Sequence, residues 1–264
     1  MNKPIEEIKK VFSKNNTILM PYYTLGYPDY EVSLNIIQAC AESGAEMMEL
    51  GLPFSDPLAD GPTIQHSTQV ALENGMTTDR CFKAVEELRA RGVGIPFMLM
   101  GYYNPILTYG LEPFVEKAHS VGVNGFIIPD LPPEEALEFE QLCTHYGMGL
   151  SYLLSPNSPE KRIQLLLDRS RGFTYLVSVI GVTGARNELS PTLKDFVKRV
   201  RSLSPPDIPL AVGFGISTPD QVRGVSQFAD GIIVGSALIN AVDQSPDPVK
   251  AASDFVRELH QALE

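Results

Sequence analysis

Eight short apolar runs alternate with amphipathic segments along this chain, and that alternation restricts the fold more than any other feature. The runs cover residues 18–22, 46–51, 95–101, 125–130, 149–154, 173–179, 208–213 and 231–235. Each is continuously apolar rather than alternating, the pattern of parallel strands covered on both faces. Helix-like stretches at 30–43, 79–91, 134–146 and 159–170 lie between them. Asn157-Ser158-Pro159-Glu160 reads as an N-cap followed by proline in the first turn, and Ser190-Pro191 and Ser217-Thr218-Pro219 repeat the device. Strand then helix, eight times without a polar linker, predicts an α/β fold closed as a (β/α)8 or TIM barrel, with residues 1–264 as one domain. A doubly wound sheet is the competing fold. A further helix at 5–14 precedes the first strand and is expected to cover the lower end of the barrel.

The net charge is −11, from 21 Lys and Arg against 32 Asp and Glu. That balance argues against nucleic acid or an anionic membrane as a partner, though not against a small phosphate held by backbone N–H groups. The three cysteines, Cys40, Cys81 and Cys143, form no CxxC pair and point to a reducing compartment. Residues 1–14 carry acid as well as base and lack the apolar core of a signal peptide, and no apolar run reaches the length of a membrane span. A cytoplasmic protein is expected, or one of the plastid stroma after loss of a transit peptide.

Barrel enzymes place their chemistry at the C-terminal strand ends and in the loops that follow. The second run ends Met47-Met48-Glu49-Leu50-Gly51. A glutamate in an apolar strand is costly unless it is satisfied or used. Partial burial would raise its pKa and let it act as a general acid as well as a base, and a structural carboxylate bound by N–H groups is the other reading. The next loop, 52–62, holds three prolines and two further carboxylates, Asp56 and Asp60. Its stiffness suits the placement of a carboxylate, although Asp beside Pro or Gly is commonly a turn former. Gly213-Phe214-Gly215 and Gly235-Ser236 follow the last two strands. Glycine turns at that corner suit a phosphate, with Ser236 expected to cap a short helix at 237–242. The segment 181–188, with Gly181 and Gly184, reads as a lid or a plain surface loop.

What is missing narrows the chemistry further. The lysines fall in the N-terminal segment or on expected helices, so none is available at a strand end for a Schiff base. His66, His119, His145 and His260 also fall on helices, and no metal-ligand cluster, Ser-His-Asp arrangement or dinucleotide fingerprint occurs. Carbon–carbon or proton chemistry would have to run on carboxylates.

The run from Glu49 to Gly61, Glu-Leu-Gly-Leu-Pro-Phe-Ser-Asp-Pro-Leu-Ala-Asp-Gly, resembles the signature of the tryptophan synthase α chain family. The likeness continues through Tyr102-Tyr103-Asn104-Pro105, Pro129-Asp130-Leu131-Pro132, Gly181-Val182-Thr183-Gly184 and Gly213-Phe214-Gly215-Ile216, in order along the chain. It implies retro-aldol cleavage of indole-3-glycerol phosphate to indole and glyceraldehyde 3-phosphate, with Glu49 and Asp60 as the catalytic pair. It implies a substrate site of Tyr22, Met100, Tyr102, Tyr175, Thr183, Gly184, Phe214, Gly215, Gly235 and Ser236. Tyr22 and Met100 stand where phenylalanine and leucine also occur in the family, and Ile180 where some relatives are more polar. No cofactor is implied for this chain. The implied partner is a pyridoxal-phosphate β subunit in an α2β2 assembly, with Asp56 at the interface and the lid bringing Thr183 toward Asp60. A stand-alone indole-releasing lyase of the same family would share every one of these residues.

Overall fold

In a computed structural model of the chain, which describes residues 3–14, 16–177, 191–213 and 215–264, the apolar runs pair side by side as parallel strands. They are β1 (Ile18–Thr24), β2 (Met48–Gly51), β3 (Phe97–Met100), β4 (Gly125–Ile127), β5 (Gly149–Ser151), β6 (Leu153–Leu154), β7 (Thr174–Val177), β8 (Leu210–Gly213) and β9 (Gly231–Val234). The hydrogen-bonded order is β5-β4-β3-β2-β1-β9-β8-β7-β6. Its two ends, β5 and β6, are separated in the chain by Tyr152 alone, so the sheet curls round until its ends meet as a TIM barrel.

The single run expected at 149–154 is thus two strands. β5 pairs with β4, and β6 pairs with β7. Between them the Tyr152 N–H turns to Ser170 Oγ at 3.4 Å, and Leu150 exchanges both backbone bonds with Arg171 in an isolated antiparallel bridge. Two start signals also resolve differently. Pro159, not Asn157 or Ser158, is the N-cap of the helix Glu160–Arg169, because the Ser158 hydroxyl accepts from the Ser155 N–H and closes the preceding turn. The stretch 134–146 opens as a 3-10 turn, Pro133–Glu135, before the helix Leu137–Tyr146. Thr218 does cap its helix, Pro219–Ser226, in a reciprocal capping box with Gln221.

Packing outside the barrel is aromatic. Phe114 and Phe126 lie 5.7 Å apart between ring centroids, and Phe126 and Phe139 lie 5.2 Å apart, so β4 is clamped between the helices that flank it. Below, the extra helix Pro4–Phe12 plugs the barrel. Ile8 is fully buried, the Phe12 ring meets Phe173 at 5.7 Å, and the Ile5 N–H donates to Gly147 O at 2.9 Å.

The lower strand ends share one device. The residue at or just before the start of one strand sends a side-chain oxygen to the first N–H groups of its neighbour. Glu46 accepts from Leu19 N at 2.8 Å, Asn124 from Phe97 N at 2.9 Å, and Asp230 from Leu210 N at 2.7 Å. Arg89 ties this end together, donating to the carbonyls of Val93, Ile95 and Gly122 and to Asn124 Oδ1 at 2.6–3.1 Å while its guanidinium lies 3.8 Å above the Phe97 ring. No helix among the described residues is long and apolar enough to cross a membrane.

Candidate active site

Register places the site before any side chain is considered. Tyr22 of β1 stands opposite Glu49 of β2, and Glu49 stands opposite Met98 of β3. Alternation puts Met47, Glu49 and Gly51 on one face, and that face is the barrel lumen. A methyl group at Gly51 would collide with the Tyr22 hydroxyl, and one at Gly213 would collide with the Tyr175 hydroxyl. Both glycines are therefore required by close approach: they leave the space that lets two phenols turn inward beside Glu49.

Glu49 is fully buried, and neither of its carboxylate oxygens has a hydrogen-bond partner among the described residues. Burial alone pushes its carboxyl up to about 8. Among the described residues no Lys, Arg or His lies on a strand, so no cation of the described wall offsets that cost. Asp60 is reached by the stiff loop that leaves β2. Its Oδ2 accepts from the Tyr102 hydroxyl at 3.0 Å, while Oδ1 has no partner among the described residues. Burial pushes Asp60 up to about 6, and the Tyr102 hydrogen bond partly offsets this by favouring the charged form. The two carboxyls thus separate: burial raises Glu49 further than Asp60, so near neutral pH Glu49 is the better acid and Asp60 the better anion.

Tyr102 has a part that its sequence position did not disclose. Its oxygen also accepts from the Ala59 N–H at 2.9 Å, so one phenol fixes both Asp60 and the residue before it. The Phe54 ring packs on Tyr102 at 5.5 Å between centroids. Asp56, four residues before Asp60, is exposed and accepts from Ser55 Oγ at 2.5 Å. Next to it Leu58 is 93 % exposed, a large apolar side chain held out to solvent by a rigid loop.

Around the pair, Tyr22, Met100, Tyr102 and Tyr175 are all buried. Burial raises the phenols of Tyr22 and Tyr175 first, and the nearby carboxyls of Glu49 and Asp60 raise them further, so both stay protonated. Gly215 has φ +79 with open space where a side chain would be. Gly235 is the N-cap of the helix Ser236–Asp243, and a Cβ there would lie 3.3 Å from the Tyr22 ring. The Tyr22 ring therefore spans from the Gly235 turn to the Glu49 strand. Ser236 is not the cap expected of it. It already has helical geometry, and its exposed hydroxyl makes no hydrogen bond among the described residues. The helix start stands open, with Ile239 N to Gly235 O as its first bond at 3.1 Å. Thr183, Gly184 and Phe214, with the rest of 181–188, lie outside the described residues. No three His, Cys, Asp or Glu side chains converge on a metal site among the described residues.

A buried glutamate and a half-buried aspartate thus stand at one barrel mouth, with glycine turns beside them. The family model for the tryptophan synthase alpha chain matches residues 8–264. The chain belongs to the tryptophan synthase alpha chain family. It is similar to the tryptophan synthase alpha chain of Dehalococcoides mccartyi, at 46% identity over 98% of this chain and 100% of that one. Among solved structures, the tryptophan synthase subunit alpha of Legionella pneumophila superposes with a TM-score of 0.90 at 34% identity, covering 100% of this chain and 99% of that one. A chain of the aminoacrylate-bound tryptophan synthase of M. tuberculosis gives 0.88 at 31% identity, with full coverage of both. The family makes this chain a lyase-type enzyme of tryptophan biosynthesis.

Proposed function

We propose that this member of the tryptophan synthase alpha chain family cleaves indole-3-glycerol phosphate to indole and glyceraldehyde 3-phosphate, with Glu49 moving the protons and Asp60 holding the indole N–H. The observation that carries the proposal is the unequal pair of carboxyls: Glu49 fully buried with no partner for its oxygens among the described residues and pushed up to about 8, Asp60 held by Tyr102 and pushed up only to about 6. Protonated Glu49 donates to indole C3, which turns the ring into an electron sink. The Asp60 carboxylate accepts from the indole N–H and offsets the positive charge that develops there. The Glu49 carboxylate then removes the proton of the glycerol hydroxyl as the carbon–carbon bond breaks, which releases the aldehyde and restores the Glu49 acid. Glu49 gives one proton and takes one back, so the two transfers balance and need no further proton carrier from this chain.

The substrate's phosphate would sit at Gly215, Gly235 and Ser236, on the open N–H groups of the helix Ser236–Asp243. Ser236→Asp would set a carboxylate against that dianion without touching the Tyr22 ring, and is expected to raise KM about tenfold, ~1.4 kcal/mol, with kcat little changed. The tryptophan synthase β subunit is the proposed partner, and the cofactor of the paired reaction, pyridoxal phosphate, is assigned to it rather than to this chain. Asp56 and Leu58 stand exposed on the loop that carries Asp60, so a partner seated there would bear directly on the catalytic carboxylate. Added β subunit should raise indole release about tenfold, a coupling of ~1.4 kcal/mol, and Asp56→Ala should weaken that gain. The direct test is to give purified chain indole-3-glycerol phosphate and measure indole. Indole in step with glyceraldehyde 3-phosphate is expected, and none at pH 7, with or without the β subunit, would overturn the proposal.

A further inference from the structure

Behind Tyr22 runs a short chain of hydroxyls with a fixed direction. Tyr22 Oη lies 3.3 Å from Thr24 Oγ1, Thr24 Oγ1 lies 2.7 Å from Ser67 Oγ, and Ser67 Oγ donates to the Ile64 carbonyl at 2.9 Å. Each hydroxyl has one proton to give. Ser67 spends its proton on Ile64, a backbone acceptor that can only accept. Thr24 must then donate to Ser67, and Tyr22 must donate to Thr24. This is the one assignment in which all three contacts are hydrogen bonds. Thr24 and Ser67 are buried, so no bulk water competes for these positions. The Tyr22 oxygen meanwhile packs against Gly51 on the mouth side of Glu49. Glu49 from β2, Asp60 from the loop beyond it, and Tyr102 behind Asp60 all bear on it electrostatically, and Tyr22 in turn bears on Tyr175.

Resting on the lyase reading above, we infer that the Tyr22 hydroxyl is a positioning group that presents only lone pairs to the reacting centre, accepting a hydrogen bond from an O–H or N–H of the substrate and giving none to either carboxyl. This explains why two unpartnered carboxylate oxygens persist next to a phenol: the phenol's proton is directed away, toward the helix Pro62–Glu73. A donor phenol at this point would favour ionised Glu49 and remove the acid that the first proton transfer needs. The hydroxyl relay keeps Tyr22 from doing so.

The test separates the relay from the lumen. Thr24→Val removes the acceptor of the Tyr22 proton. Ser67→Ala frees the Thr24 proton to turn toward Tyr22, which displaces the Tyr22 proton into the site. Carbon-13 NMR of the labelled Glu49 carboxyl, assigned by its loss in Glu49→Gln, reads the outcome without substrate. Both variants should lower the Glu49 titration midpoint by roughly half a pH unit or more. Their thermal melting is followed alongside, and two variants on different elements guard against one failing to fold. Tyr22→Phe should raise KM for indole-3-glycerol phosphate roughly three- to tenfold, the loss of one neutral hydrogen bond, with a smaller change in kcat. An unmoved midpoint in either folded relay variant, or a wild-type KM in Tyr22→Phe, overturns the inference. Failure of the wild type to release indole would instead defeat the lyase reading, while the titration still decides the direction of the relay.

Discussion

The two ends of the barrel treat their charged and amide side chains in opposite ways. At the lower end Glu46, Asn124 and Asp230 each take a strand N–H, and Arg89 places its donors on four oxygens. At the mouth, among the described residues, Glu49 has no partner for either oxygen and Asp60 has one oxygen open. A polar side chain that is paired helps to hold the fold together, whereas a buried carboxyl left open carries a standing cost that a bound ligand can relieve. The comparison teaches that the lower end is built for stability and the mouth for chemistry, on the same strands and within a few residues of each other.

The contrast breaks most visibly at Arg89. Arg89→Ala would leave the carbonyls of Val93, Ile95 and Gly122 and the Asn124 side chain without their donor. A loss of about 3 kcal/mol or more in unfolding free energy is expected, with the kcat of the folded fraction unchanged; urea denaturation and active-site titration read the two quantities. Wild-type stability in that variant would mean that the lower end is not where the fold is secured.

Glu49→Gln should do the reverse. Indole release should fall by at least ~10², the low end for loss of a general acid/base, in a protein that melts no earlier than wild type. The pH dependence sharpens this. Glu49 is raised from about 4.5 to about 8 in the folded chain, so between those values the native state holds a proton that the unfolded state has lost. Stability from this group is therefore full below pH 4.5 and declines as pH rises toward 8. Glu49→Gln should flatten that decline and be the more stable protein at pH 8, which thermal melts across the range would show.

A smaller effect is expected at Tyr102. Tyr102→Phe removes the side-chain hydrogen bond that favours ionised Asp60, so Asp60 should titrate at higher pH and the acid limb of activity should move upward, with kcat/KM at pH 7 falling roughly three- to tenfold. An unmoved acid limb would show that Asp60 is placed by the loop alone.

Much of the fold was legible in the sequence because continuous apolar runs have one economical arrangement, a parallel sheet covered by helices. The break at Tyr152 was not, because it depends on Ser170 and Arg171 reaching across from the next unit. Glu49 was legible for a local reason: a lone carboxylate in an apolar strand is costly wherever the strand ends up. Choosing between Asp56 and Asp60 needed the resemblance, since both stand beside proline or glycine in one loop. The physical difference is a contact 42 residues away, the Tyr102 hydroxyl that draws Asp60 inward while Asp56 stays exposed. The relay behind Tyr22 was hidden for the same reason, since Thr24 and Ser67 meet across 43 residues. Ser236 was misplaced by one position because Gly235, with φ −121 and ψ −78, takes the cap and leaves the serine inside the helix. What sequence spacing reports is the strand and the helix; which of two nearby carboxylates turns inward is decided by a partner distant in the chain.

Glu49 must work as the acid and Asp60 as the anion in the same enzyme at the same pH. The most direct measurement is kcat/KM for indole release from indole-3-glycerol phosphate as a function of pH. Activity should rise as Asp60 ionises near pH 6 and fall as Glu49 loses its proton near pH 8, a bell with its summit close to neutrality. A profile that is flat from pH 5 to 9, or one that keeps climbing above pH 8, would contradict it.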